Sequence, residues 1–139
     1  MGKYVFEILD KASKDKTKAD KVMTLKRNES WALKDVLRGT YDSTVIWNLP
    51  EGEVPYEACE PHNHPANLIR ENAKFKYFVK GLPASEQLPK WKRERLFLAM
   101  LEGVHPEDAK VLVNMINKKP YKSITRKVVE EAFPGLLKD

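Results

Sequence analysis

An all-α fold, a compact bundle of six or seven short helices, is predicted from three observations. Apolar residues recur at three- and four-residue spacing along most of the chain, as in Val5, Phe6, Leu9 and Ala12 or Ala109, Leu112, Val113 and Ile116. That is the period of a helix with one buried face. Residues that start and stop helices fall between these segments. Only one run leans towards β structure, Ser43-Thr44-Val45-Ile46-Trp47. It is too short to found a sheet and is assigned to an extended connector packed on the core.

The elements follow in order. Residues 3–13 form the first amphipathic helix. Thr17-Lys18-Ala19-Asp20 matches the Ser/Thr-x-x-acid capping pattern and opens a second, burying Ala19, Val22 and Leu25 or Met23. Asn28 is placed as the next cap, before a helix burying Trp31, Leu33, Val36 and Leu37. Gly39 is expected to end that helix in the left-handed conformation. From residue 48 to 66 the chain carries Pro50, Pro55, Pro61 and Pro65 with Gly52, a density no helix survives, so this is a long acidic surface loop. Leu68, Ile69, Phe75, Phe78 and Val79 resume the helical pattern, broken at Gly81-Leu82-Pro83. A helix from about Pro89 buries Leu96, Phe97, Met100, Leu101 and Val104. Pro106-Glu107-Asp108 starts another, with proline at the first helical position and acids on the positive end of the dipole. The final helix covers about 124–133.

The 139 residues correspond to one domain spanning 1–139, and 42% apolar content suffices for one core. The single cysteine, Cys59, excludes an intrachain disulfide and fits a reducing compartment. No apolar run approaches the roughly 20 residues a membrane span needs, and lysines from Lys11 to Lys21 break any signal-peptide pattern. The expectation is a soluble protein of the host-cell cytoplasm with no membrane partner. The net charge of +5 is unevenly spread. Residues 51–66 hold four acids and no cation, whereas residues 67–139 hold 15 cations and nine acids, so the positive field concentrates in the C-terminal half.

Catalytic chemistry finds little footing. Cys59, His62 and His64 are close in sequence, but their spacing matches no standard zinc site and no second Cys/His pair exists to complete four ligands. The six glycines never form a phosphate-binding loop. No nucleophile with an orienting base and no marked pair of carboxylates stands out. Neither an enzyme, a metal nor a cofactor is expected.

Binding chemistry has more. Five cations and no acid lie between Asn117 and Lys127. Ser123 or Thr125 sits where a helix N-cap belongs, so backbone N–H groups would open among lysines, a combination suited to anions. Hydroxyls, amides and Lys/Arg together are the usual phosphate contacts. The candidate nucleic-acid-binding residues are Lys118, Lys119, Lys122, Ser123, Thr125, Arg126 and Lys127, joined by Lys90, Lys92, Arg93 and Arg95 on a preceding helix. No Asn, Gln or Arg stands at base-reading spacing, so little sequence selectivity is expected.

The chain resembles the N-terminal DNA-binding domain of the ATP-dependent DNA ligases of T-even-type bacteriophages. The residues that carry the resemblance are Phe6-Glu7-Ile8-Leu9, the lysine-rich second helix, Asn28, Leu33 to Tyr41, Glu107 to Leu112, and Val128 to Phe133 followed by Pro134-Gly135-Leu136. The chain is also similar to a small protein encoded by marine myoviruses of that type. In the ligases this helical domain grips duplex DNA around a nick, mainly through the minor-groove side and the phosphates. The resemblance therefore implies a stand-alone, non-catalytic module for double-stranded or nicked DNA, serving replication or repair. It does not imply ligation, because the nucleotidyl-transfer motif Lys-x-Asp-Gly is absent and no Asp-Gly pair occurs. Asn117 to Lys122 replaces the Arg-Asp-Leu and glycine-containing turn of the ligases, and the loop at 49–65 maps onto nothing in that domain. The alternative is a protein-interaction module that engages a replication component through this loop, with Val54 and Tyr56 as anchors.

Overall fold

Val5, Ile8, Leu9 and Ala12 line the inner face of the first helix and are almost wholly buried; three of these are the predicted residues, while Ile8 takes the inner place expected of Phe6, which is half-buried. The computed structural model describes residues 4–50, 52, 54–60 and 65–138. Among them are eight α-helices and no strand: α1 (Val5–Lys14), α2 (Lys18–Arg27), α3 (Trp31–Tyr41), α4 (Leu68–Glu71), α5 (Pro83–Glu86), α6 (Lys90–Gly103), α7 (Pro106–Ile116) and α8 (Arg126–Ala132). A 3-10 turn, Asn72–Tyr77, follows α4. The fold is all-α. The count exceeds six or seven because α4 and α5 are single turns of four residues each. No helix among the described residues is long and apolar enough to cross a membrane.

The caps explain most boundaries. Thr17 accepts the Asp20 N–H at 3.1 Å and opens α2, and Thr125 accepts the Val128 N–H and opens α8. Asn28 is not the cap of α3. It closes α2, and Ser30 opens α3 by accepting the Leu33 N–H at 3.1 Å. Each such cap satisfies an N–H with no partner inside the helix, worth about 1 kcal/mol.

Gly39 does not terminate α3, which runs on to Tyr41. A methyl group there would meet the indole of Trp47 and the thioether of Met115. The glycine is needed for close packing of the connector and α7 against α3. Trp47 also donates its indole N–H to the Gly39 carbonyl at 2.9 Å. The connector is extended, as expected, and pairs with the segment after the 3-10 turn. Asn48 N–H donates to Phe78 O at 2.6 Å and Lys80 N–H to Ile46 O at 2.7 Å.

Several apolar and charged residues sit opposite to expectation. Ala19, Trp31 and Leu96 face solvent, and of the alternatives Leu25 and Met23 it is Leu25 that is buried. Arg93 and Asp108 are buried, and so is Asp42, to which the sequence assigns no role. Asp42 closes α3 and accepts from the Thr44 N–H and Thr44 hydroxyl and from the Lys138 N–H, so one carboxylate ties the turn after α3 to the C-terminal segment. Asp108, expected on the open end of α7, instead accepts the Phe6 N–H at 2.9 Å and joins α7 to the first turn of α1.

The loop after the connector is irregular over 54–60. It is held at two points: Asn117 exchanges hydrogen bonds with the Gly52 backbone, and Glu102 accepts the Glu57 N–H. Val54 and Tyr56 are half-buried and pack on the core. The Cys59 thiol donates to the Glu60 carbonyl. His62 and His64, with Glu51, Glu53, Pro61 and Asn63, lie outside the described residues.

Candidate functional site

The junction between α7 and α8 is built by a turn that uses lysine where glycine is usual. Asn117 closes α7, and Lys118 then adopts a φ of 55°. The Lys118 N–H donates to Met115 O at 3.0 Å and the Lys119 N–H to Asn114 O at 2.9 Å. This pair of bonds defines the Schellman ending, which satisfies the last carbonyls of the helix. A left-handed lysine costs roughly 1 kcal/mol. The side chain offsets it: Lys118 Nζ donates to the carbonyls of Gly39 at 2.7 Å and Asp42 at 2.8 Å, at the negative end of the α3 dipole.

Two tyrosines hold the next four residues. Tyr121 N–H donates to the Tyr41 hydroxyl at 3.1 Å, and Tyr41 in turn donates to the Ile124 carbonyl. Tyr121 donates its own hydroxyl to Asp10 at 3.0 Å. Burial, then the hydrogen bond to Asp10 and the negative charges of Asp10 and Glu107, push the Tyr121 phenol up to about 12. Burial raises Tyr41 as well, against the opposing Tyr121 N–H. Both phenols therefore remain proton donors throughout the physiological range.

The hydroxyls expected to contact phosphate are spent inside the fold. Ser123, at φ 50°, donates to the Ser13 carbonyl at 2.7 Å and lies 3.4 Å from Lys21 Nζ. Thr125 is engaged as the α8 cap, and α8 has only seven residues, so its N-terminus is a weak anion site. Arg126 donates to the Tyr41 carbonyl at 3.0 Å and pairs with Glu130 at 3.3 Å. Lys118 and Arg126, expected among the phosphate contacts, thus brace α3.

Lys119, Lys122 and Lys127 do face solvent and make no ion pair among the described residues. The α1–α2 turn adds charge beside them, because α2 packs against α8 and Lys21 reaches Ser123. Lys16 is exposed there without an ion pair among the described residues, and Lys14 is exposed with only a 3.9 Å approach to Asp10. Lys18 pairs with Glu131 at 3.0 Å, while Lys21 caps the end of α1 through the carbonyls of Ala12, Ser13 and Asp15. Asp15 sits below its ordinary range, mainly through the Thr24 hydroxyl that donates to it. Lys14 and Lys16 were legible in the sequence as a lysine alternation before Thr17, but nothing local places them beside residue 123.

The second cationic group divides. Lys90, Lys92 and Arg95 are exposed on α6. Arg93 is buried and donates to the carbonyls of Asn48 at 2.8 Å, Ser85 at 3.0 Å and Leu88 at 3.0 Å. A planar guanidinium supplies diverging donors that one ammonium cannot, and here they gather three loop ends under α6. Arg93 is therefore a structural residue, not a surface contact.

No curated protein and no solved structure matches the chain. One family model does, over residues 8–122, which run from Ile8 within α1 to Lys122 of the α7–α8 junction. On that match the chain belongs to DUF6433, described as a family of unknown function.

Proposed function

We propose that the protein is a non-catalytic module that holds double-stranded or nicked DNA through phosphates, with little sequence selectivity. The observation that carries this reading is the set of exposed lysines without an ion pair among the described residues at the α7–α8 junction, Lys119, Lys122 and Lys127, joined by Lys16 on the α1–α2 turn and by Lys14 at the end of α1, which approaches Asp10 only at 3.9 Å. They stand on a backbone pinned by Tyr41, Tyr121 and Lys118, so charge is offered from a rigid support. Ammonium groups binding phosphate release counterions, which gives affinity without reading bases. The resemblance to the helical domain of phage DNA ligases supports the same class of partner.

The test is a gel shift comparing intact duplex, nicked duplex and single strand over a range of salt. Affinity should fall steeply as salt rises. No duplex shift at low salt, or binding indifferent to salt, removes the basis of the proposal.

A further inference from the structure

The chain has three tryptophans, and two have identifiable structural employment. Trp47 donates its indole N–H to Gly39. Trp31 is 74% exposed but carries the Lys34 ammonium over its ring at 4.8 Å. Trp91 is different. It is 65% exposed and makes no hydrogen bond, ring contact or cation contact among the described residues.

Its position on α6 is informative. The buried residues Arg93, Phe97, Met100 and Leu101 define the inner face. At about 100° per residue, Trp91 falls roughly opposite the centre of that face, with Arg95 one turn further along the same row. Lys90 and Lys92 are its immediate neighbours. All three cations are exposed and none is ion-paired among the described residues. The one acid in this stretch, Glu94, is half-buried and lines the cleft beneath Leu49, Pro50 and Val54. A solvent-facing indole with one unpaired cation a turn along its row and two more at the adjacent positions suits a ligand with both a flat apolar face and closely spaced negative charge. An unpaired nucleotide has both: the base stacks on the ring and the flanking phosphates meet the cations. A protein hot spot built on tryptophan would instead sit within an exposed apolar patch; the other exposed large apolar side chain of α6, Leu96, lies about 140° round the helix from Trp91, and Leu98, in the row of Trp91, is half-buried in the cleft against Leu49, Pro50 and Val54.

We infer that Trp91 is a stacking platform for an unpaired base, with Lys92 and Arg95 holding the adjacent phosphates. This rests on the nucleic-acid reading above for the class of polymer. It adds that α6 recognises a locally single-stranded segment, whereas the α7–α8 lysines hold the duplex.

The experiment is fluorescence titration of the full chain with a thymidine oligonucleotide of about ten nucleotides. A Trp31→Phe background removes the other exposed indole. The emission should be quenched on binding. Trp91→Ala should weaken oligonucleotide affinity by at least about fivefold, and Trp91→Phe should recover most of the loss. Lys92→Ala with Arg95→Ala should reduce the salt dependence of the same titration. Circular dichroism should be unchanged, since none of these side chains is buried. Equal affinity of Trp91→Ala and the parent, or saturation without quenching, overturns the inference. If the oligonucleotide fails to bind while duplex still shifts, stacking is refuted and the duplex reading stands. If neither nucleic acid binds, both fall.

Discussion

Lys118 Nζ lies 2.7 Å from the carbonyl oxygen of Gly39, 79 positions earlier in the chain. With its second bond to Asp42 O at 2.8 Å, this ammonium fastens the α7–α8 junction to the end of α3. A residue that reads as surface charge is thereby a tertiary fastening, and the lysines around it are separated into two kinds.

The separation can be measured. Lys118→Ala should destabilise the fold by about 2 kcal/mol, the scale of charge-assisted hydrogen bonds, while leaving the salt dependence of DNA binding unchanged. Lys118→Gly should be about 1 kcal/mol less harmful, because glycine relieves the left-handed backbone. Joint replacement of Lys119, Lys122 and Lys127 by alanine should do the reverse. Thermal stability should hold, and the slope of log affinity against log salt should become shallower by about 2.7, at about 0.9 per phosphate.

Gly39→Ala tests the packing of the connector. The added methyl must displace either Trp47 or Met115, and overpacking of this kind costs about 1–3 kcal/mol. A lowered midpoint in urea is expected, with a change in Trp47 emission because its N–H bond is to the same residue. An unchanged midpoint would show that the close approach is not needed.

Arg93 should tolerate no substitution well. Arg93→Met keeps much of the apolar stem but leaves the carbonyls of Asn48, Ser85 and Leu88 without their donors. The expected loss is about 3 kcal/mol or more in chemical denaturation. Arg93→Lys should restore only part, since Arg93 divides these bonds between its Nε and Nη1, whereas a lysine donates from a single nitrogen.

Asp108 makes stability depend on pH with an unusual sign. Burial pushes its carboxyl up to about 6, opposed by the Phe6 N–H and assisted by the charge of Glu7. Its second oxygen has no hydrogen-bond partner among the described residues. The native state therefore keeps a proton between about pH 4 and 6 that the unfolded chain releases. Stability should decline as pH rises through that window, by up to about 3 kcal/mol for about two pH units at 1.36 kcal/mol each. Asp108→Asn should flatten the decline and raise the melting temperature near neutral pH. Calorimetry of both forms from about pH 4 to about pH 7.5 checks it, and a parallel pH dependence would place the titrating group elsewhere.

The sequence by itself determined the class of fold and most of the element positions. Apolar spacing located α1, α3, α6 and α7, Thr17 marked one helix start, Ser123 or Thr125 narrowed a second that proved to be Thr125, and Pro106 opened α7. These are local signals: a helix's period and its first unsatisfied N–H groups are settled within a few residues of chain. Tertiary structure decided which charges remain free. Arg93, Lys118 and Asp108 read as surface residues because nothing within one helical turn shows their partners. Those partners are backbone groups up to 102 positions away. Trp91 shows the same limit from the other side. A period places it on an outward face, but only the packed molecule shows that nothing among the described residues covers it. Burial of a charge is set by whether distant carbonyls and amides converge on it, and that convergence exists only once the helices have packed.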